Sequence, residues 1–262
     1  TVLIGAATHR PQENGMIRFE GEEVAEIIEK PEAGKSPSNT AALGIYMMGK
    51  DFFEYYEKLS SHHETDVIDA RNAYIKDKKA GLVRTENDFP TLKYPWDLFS
   101  ILDILFDSDS FKGKKARSAT IGKNVVIKGD VYIGENTVIK DNTVIEGPCY
   151  IGNNCEIGYS NVIRGPINIE DNVKTGALCE IKHSIIQEGT HFHSGYVGDS
   201  IIGRNCRFGA GFTTANRRMD RESIKATVKG NKVDTARSHF GVVIGNKTGA
   251  GIHSGTMPGV LI

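Results

Sequence analysis

The chain has 262 residues, 32 Lys and Arg against 33 Asp and Glu, and a formal net charge of -1. That length leaves room for two domains, and the balanced charge gives no general drive toward nucleic acid or an anionic membrane. No apolar run approaches the roughly 20 residues a membrane span needs, and Thr1–Gly15 lacks the basic start and long apolar stretch of a signal peptide. A cytoplasmic protein with neither nucleic-acid nor membrane partners is the expectation.

Residues 1–110 read as mixed α/β. Short apolar runs predict strands at Val2–Ile4, Met16–Phe19, Val24–Glu29 and Leu43–Met48. Helices are predicted over Asp51–Leu59 and from Thr65, with Asp66 in its first turn, to about Lys78. Pro95 suits the first turn of a third helix, whose Leu98, Ile101, Leu102 and Leu105 form one face. Pro31–Gly34 and Asn87–Pro90 read as loops. The run Asp107–Arg117 is polar and charged and has neither period, which makes residues 111–118 a linker.

From Ala119 the pattern changes. Nine isoleucines, Ile121, Ile127, Ile133, Ile139, Ile145, Ile151, Ile157, Ile163 and Ile169, recur at every sixth residue. A smaller column stands two places before each: Ala119, Val125, Val131, Thr137, Thr143, Cys149, Cys155, Asn161 and Ile167. A helix needs apolar spacing near 3.6 and a long strand needs alternation; a period of six fits a short strand with two inward side chains, then a turn. Three such hexads close a triangular coil, and coils stack at about 4.8 Å, so residues 119–262 are expected to form a left-handed parallel β-helix of hexapeptide repeats. Cys149, Cys155, Cys179 and Cys206 all fall in the small column, and no C-x-x-C pair occurs, so the cysteines read as buried small hydrophobes.

The repeat fails in two places. After Ile181 the apolar positions are Ile186, Phe192, Val197 and Ile202, and three of these four steps are five residues long. Then Ala215–His239, rich in charge, breaks away before the six-residue step resumes at Ile244, Ala250, Thr256 and Ile262. Register agrees on both sides, so residues 215–239 read as a loop thrown out from one coil. Violations of an otherwise consistent pattern are where function is expected, and the irregular span holds His183, His191, His193, Tyr196, Arg207 and Asn216.

In the first third, Glu29-Lys30-Pro31, Gly44-Ile45-Tyr46, Glu64-Thr65-Asp66 and Trp96-Asp97 resemble, in order and spacing, the later motifs of sugar-1-phosphate nucleotidylyltransferases. The resemblance implies a partial Rossmann-like nucleotidyltransferase domain, with Glu29 and Lys30 on the sugar phosphate, Asp97 helping to hold Mg²⁺ and the E-x-T-D region lining the sugar pocket. Nucleotidyl transfer joins two polyanions, so a cation, carboxylates to hold it and a lysine over the phosphates suit the chemistry. The family's opening G-x-G-T-R loop, which cradles the nucleoside triphosphate, has no counterpart in Thr1–Gly15, and Ala42 stands where the family often has a sugar-contacting Asn. The domain therefore reads as the later part of a nucleotidyltransferase, and by itself is expected not to catalyse nucleotidyl transfer.

The coil resembles the acetyltransferase domain of bifunctional N-acetylglucosamine-1-phosphate uridylyltransferase/glucosamine-1-phosphate acetyltransferases and their archaeal relatives. His193-Ser194-Gly195-Tyr196-Val197-Gly198-Asp199 matches H-x-x-Y-x-G-D, and Phe208-Gly209-Ala210-Gly211 with Asn216 matches the later motif. The match implies His193 as general base, Tyr196 and Asn216 on the amino sugar, Arg164 and Lys182 on its phosphate, and Lys225 as a further phosphate contact. An imidazole suits deprotonation of an amine at neutral pH, and backbone N–H groups of Gly209, Ala210 and Gly211 could meet the oxyanion formed from acetyl-CoA. Arg207 stands where relatives often carry Asn. Such β-helices are usually trimers, so a homotrimer is expected. Two other readings stay open: a glucose-1-phosphate thymidylyl- or uridylyltransferase whose β-helix serves only assembly, and a carbonic-anhydrase-like hydratase with zinc on His183, His191 and His193.

Overall fold

The computed structural model describes residues 1–8, 10–59, 66–86 and 92–262, in two compact units, Thr1–Phe89 and Pro90–Ile262. The first unit contains β1 (Val2–Ala7), β2 (Gly15–Glu20), β3 (Glu23–Glu29), β4 (Thr40–Met47), α1 (Phe52–Glu57), α2 (Asp66–Lys78) and β5 (Gly81–Arg84). Its sheet runs β3-β2-β4-β1-β5, with β1 and β5 parallel. Leu3, Ile17, Val24, Ile27 and Ile75 form its core. Asn72 of α2 clamps β3 by accepting from the Ile27 N–H at 3.0 Å and donating to the Ile27 carbonyl at 2.9 Å. The four predicted strands are present, whereas β5, four residues with three exposed, is too short and too solvated to show a period. The predicted loop Asn87–Pro90 and the motif residues Glu64 and Thr65 lie outside the described residues.

The second unit is a parallel β-helix with three faces. The first face has seven strands, from Thr120–Ile121 to Gly249–Ala250; the second has seven, from Val126–Lys128 to Gly255–Thr256; the third has eight, from Lys114–Lys115 to Val260–Leu261. Equivalent residues in the regular coils are 18 apart, and Ile121, Ile139 and Ile157 lie in one register, as do Ile127, Ile145 and Ile163. From Ile133 to Ile169 every isoleucine of the column is at most 1% exposed, whereas Ile127, in the first coil, is 41% exposed. Fully burying one such side chain stabilises by about 1.5–3 kcal/mol.

Polar members of the small column are buried with their bonds made. Thr137 Oγ1 donates to the Gly152 carbonyl at 2.7 Å and accepts from the Cys155 N–H at 3.0 Å. Asn161 bridges neighbouring coils through the Gly158 and Gly176 carbonyls and the Cys179 N–H. The four cysteines are buried and unpaired, and burial pushes the Cys155 and Cys179 thiols up to about 11. The recurrent asparagines have a backbone cause: Asn124, Asn136, Asn142, Asn154, Asn172 and Asn205 hold φ between 54° and 61° at the corners, a conformation Asn tolerates better than other side chains.

The third predicted helix is α3 (Asp97–Asp107), and it packs with the second unit. Trp96, just before it, and its Phe99 and Leu102 are buried with Ile185, Ile201 and Phe240. Lys114–Lys115 already pairs with Tyr132–Ile133, so the coil begins inside the expected linker. The compact boundary thus falls before residue 110, because a helical period shows that a face is covered and not which body covers it. The excursion after Thr214 forms a hairpin, Lys225–Val228 with Asn231–Asp234, and the coil resumes with equivalent residues 42 apart. Among the described residues no helix is long and apolar enough to cross a membrane.

Replacing Ile157 by Ala should cost about 2–5 kcal/mol in chemical denaturation, as expected for a large-to-small change in a rigid core. Asn142→Ala should cost about 1–2 kcal/mol, and Asn142→Gly should stay close to wild type.

Candidate functional site

The site arises where the coil contracts. Between Arg164 and the inward Ile167 lies the corner Gly165-Pro166; in the next coil His183 alone separates Lys182 from the inward Ser184, and Asp199 alone separates Gly198 from Ser200. Equivalent residues are here 16 apart. The opposite corner contracts as well: three residues lie between Thr175 and Cys179, and only His193 and Ser194 between Phe192 and Gly195. The strand Gly195–Gly198 therefore runs between two shortened corners, with His193 at one end and Asp199 at the other.

His183 and Asp199 stack at their corner with φ of 41° and 47°. Asp199 is 2% exposed, and its carboxylate collects three side-chain donors. His183 Nδ1 lies 2.8 Å from Oδ1, while Asn216 Nδ2 and Lys182 Nζ lie 2.5 and 3.3 Å from Oδ2. An ionised carboxylate only accepts, so the His183 proton facing it sits on Nδ1. Burial by itself pushes the Asp199 carboxyl up, but His183, Asn216 and Lys182 outweigh it and hold the group below its ordinary value. Asn216 Nδ2 also donates to Tyr196 Oη at 3.1 Å, and burial, then Asp199, pushes the Tyr196 phenol up. On its far side His183 Nε2 is 3.5 Å from Asp103 of α3, and its ring packs on Phe99.

One strand away, Arg164 is opposite Lys182 and pairs with Glu180; its Nε is buried without a partner. His193 is exposed. Its backbone N–H donates to the Phe208 carbonyl at 3.0 Å, and its imidazole enters no hydrogen bond or ion pair among the described residues. Gly176 is required opposite it, since a Cβ there would stand 2.0 Å from the His193 carbonyl oxygen.

This chain matches the Nucleotidyl transferase family over residues 1–97 and the bacterial transferase hexapeptide family (six repeats) over 117–147 and 130–165. It is 35% identical over 264 residues to the bifunctional sugar-1-phosphate nucleotidylyltransferase/acetyltransferase of Sulfurisphaera tokodaii, across 99% of this chain and 65% of that one. Nearly the whole chain is thus similar to part of a bifunctional transferase. It is also 38% identical to the bifunctional protein GlmU of Methanocaldococcus jannaschii (96% of this chain, 61% of that one). Against GlmU of Methanococcus maripaludis strain C7 the identity is 44% (91% of this chain, 58% of that one). The chain thus spans 58–65% of the length of these three relatives.

Of the residues that the transferase resemblance singled out, the structure gathers Lys182, Tyr196 and Asn216 around Asp199, with Arg164 beside Lys182. Lys225 is not gathered: it is exposed on the hairpin, opposite Asp234. The glycine run serves stacking more than donation. Gly209 N–H is spent on the Ala250 carbonyl and Gly211 N–H on Ser194; the Ala210 carbonyl accepts from the His253 N–H at 2.8 Å, which leaves the Ala210 N–H as the donor of the three without a backbone acceptor among the described residues. A Cβ on Gly209 would stand 2.7 Å from the Ile252 nitrogen, so the next coil demands glycine there. The three histidines of the zinc reading do not converge: His191 lies on the first face between Lys174 and Arg207, and His183 and His193 occupy opposite corners. Among the described residues no group of three or more His, Cys, Asp or Glu could hold a metal.

Asp97 Oδ2 accepts from the Lys93 and Tyr94 N–H groups at 2.8 and 2.7 Å, closing the turn into α3. In the first unit Glu29 and Lys30 are exposed at the end of β3, and Lys30 takes φ of 44°. Sequence reasoning missed Arg71 of α2. It donates through Nη1 to Tyr46 Oη at 2.9 Å, while its Nε and Nη2 are buried without partners. It also left Asp199 without a role, although this residue closes the H-x-x-Y-x-G-D motif.

Because Asp199 is held below its ordinary value, it contributes stability that is fully present above the unfolded value and is lost as pH falls through the folded one. Chemical-denaturation midpoints should therefore drop below about pH 3.8 in wild type. Asp199→Asn should be less stable at neutral pH and show a smaller acid-side drop.

Proposed function

We propose that the β-helix transfers an acetyl group from acetyl-CoA to the nitrogen of an amino-sugar-1-phosphate. One observation carries the reading: a single strand ends at an unengaged imidazole, His193, and at a polar cluster of Lys182, Tyr196 and Asn216 drawn together on Asp199. The amine attacks the thioester carbonyl, the C–S bond breaks, and coenzyme A leaves as its thiol. His193 takes the proton that the amine must lose, a task suited to an imidazole at neutral pH, and that proton neutralises the departing sulfur to give the thiol. Arg164 and Lys182 hold the phosphate, Arg through its fork and Lys as a point charge. Tyr196 and Asn216 orient the sugar. The Ala210 N–H is the donor of its glycine run left to meet the oxyanion. His193 reaches outward from a corner, so a cleft shared with a neighbouring copy in a homotrimer would complete the site. A cytoplasmic setting suits an enzyme fed by acetyl-CoA.

The first unit, similar to nucleotidyltransferases over residues 1–97, supplies the sugar-phosphate end of a second site in the same reading. Glu29 and Lys30 face the sugar phosphate there, and a nucleoside triphosphate is the co-substrate. Asp97 is a poor Mg²⁺ ligand as it stands, with one carboxylate oxygen spent on two backbone N–H groups and no acidic cluster among the described residues.

Acetyl-CoA consumption with glucosamine-1-phosphate tests the acetyltransferase reading. His193→Ala should lose at least ~10²-fold in rate, as for removal of a general base. An unchanged rate would reject His193, and no consumption by wild type would leave the β-helix an assembly module.

A further inference from the structure

We propose that Asp199 is a positioning residue that fixes the polarity of Asn216, leaving the amide oxygen as an acceptor for the amino group of the sugar phosphate. The inference rests on the amino-sugar reading above and adds to it the origin of selectivity. A side-chain amide can present either its NH₂ or its oxygen to a ligand, and which one is decided by its fixed neighbours. Here both amide hydrogens are already used. Nδ2 lies 2.5 Å from Asp199 Oδ2 and 3.1 Å from Tyr196 Oη. The choice is forced by chemistry, because a carboxylate cannot donate and so must face the NH₂ end.

Asp199 keeps that character through its other partners, His183 Nδ1 at 2.8 Å and Lys182 Nζ at 3.3 Å. His183 is in turn held between Asp199 and Asp103 and packed on Phe99. The backbone at Asp199 is pinned as well: its N–H donates to the Lys182 carbonyl and its carbonyl accepts from Gly241. Asn216 Oδ1, by contrast, is neither bonded nor sealed from solvent among the described residues. Phe240 N–H closes the neck of the loop on the Asn216 carbonyl at 2.9 Å, which holds the backbone in place and leaves the side-chain partners to decide which way the amide faces. An unpaired acceptor beside a buried negative charge selects a donor, and most strongly a charged one. It disfavours a substituent that only accepts.

The test is calorimetric binding of two probes, glucosamine-1-phosphate and 2-deoxy-2-fluoroglucose-1-phosphate, to the full chain. Wild type should bind the amine at least ~10-fold more tightly, the scale of one hydrogen bond to a charged group. Asp199→Asn, whose amide lets Asn216 turn over, should bring the ratio close to one. The sugar KM should rise while the acetyl-CoA KM stays put, a split that general loosening of the fold would not give. Should that variant unfold, Tyr196→Phe frees one amide hydrogen and should lower the same ratio. Equal binding of the two probes by wild type, binding of neither, or a ratio that survives the substitution overturns the inference. Preference for the amine without acetyl transfer sinks the acetyltransferase reading alone, and acetyl transfer without the preference sinks this inference alone.

Discussion

The interior column of the coil sets the height of every strand in the second unit. Seven consecutive isoleucines, Ile133 to Ile169, are shut from solvent and packed one on another. A close-packed interior transmits a change of volume instead of absorbing it. When the corners at His183 and Asp199 each lose a residue, the column is preserved by Ser184 and Ser200, both 0% exposed. Their hydroxyls turn back onto the Lys182 and Gly198 carbonyls. The contraction is therefore pushed outward, where side chains of successive corners come into contact.

Asp199 shows what that contact permits. A buried carboxylate with no donors would be costly and would take up a proton. With three side-chain donors it stays ionised, and those donors are thereby immobilised. Lys182 and Asn216 are held in place by Asp199 itself, which lowers the ordering cost of binding. The same arrangement suits a corner where a histidine and an aspartate, which tolerate positive φ better than most side chains, both adopt it. Their mutual hydrogen bond and the ring contact with Phe99 offset backbone strain of about 1–3 kcal/mol each.

The excursion after Thr214 has two effects on this cluster. Its first turn carries Asn216 away from the second face and toward Asp199. Its hairpin places Ile224 and Ala226 in the apolar cluster that also holds Phe99, Phe240, Ile185 and Ile201. That cluster covers the third face and braces the helix whose Asp103 meets His183. Local departure from the repeat thus builds both the polar group and the apolar shell behind it.

The repeating hexads by themselves determined the β-helix, its inward residues, the point of contraction and the return of register after the excursion. A period records which side chains face inward, and the hydrophobic effect enforces that record. The motifs likewise marked His193, Tyr196, Asn216, Lys182 and Arg164. Outward neighbours are another matter, because they depend on coil length, which falls from 18 to 16 at the site. Only the folded chain set Asp199 among Lys182, His183 and Asn216, took Asp97 into a turn, and spent the Gly209 and Gly211 N–H groups on coil stacking. Lys225 could be marked by resemblance, yet its place on an exposed hairpin strand follows from antiparallel pairing. Residues distant in sequence meet through stacking geometry, and no local pattern encodes that meeting.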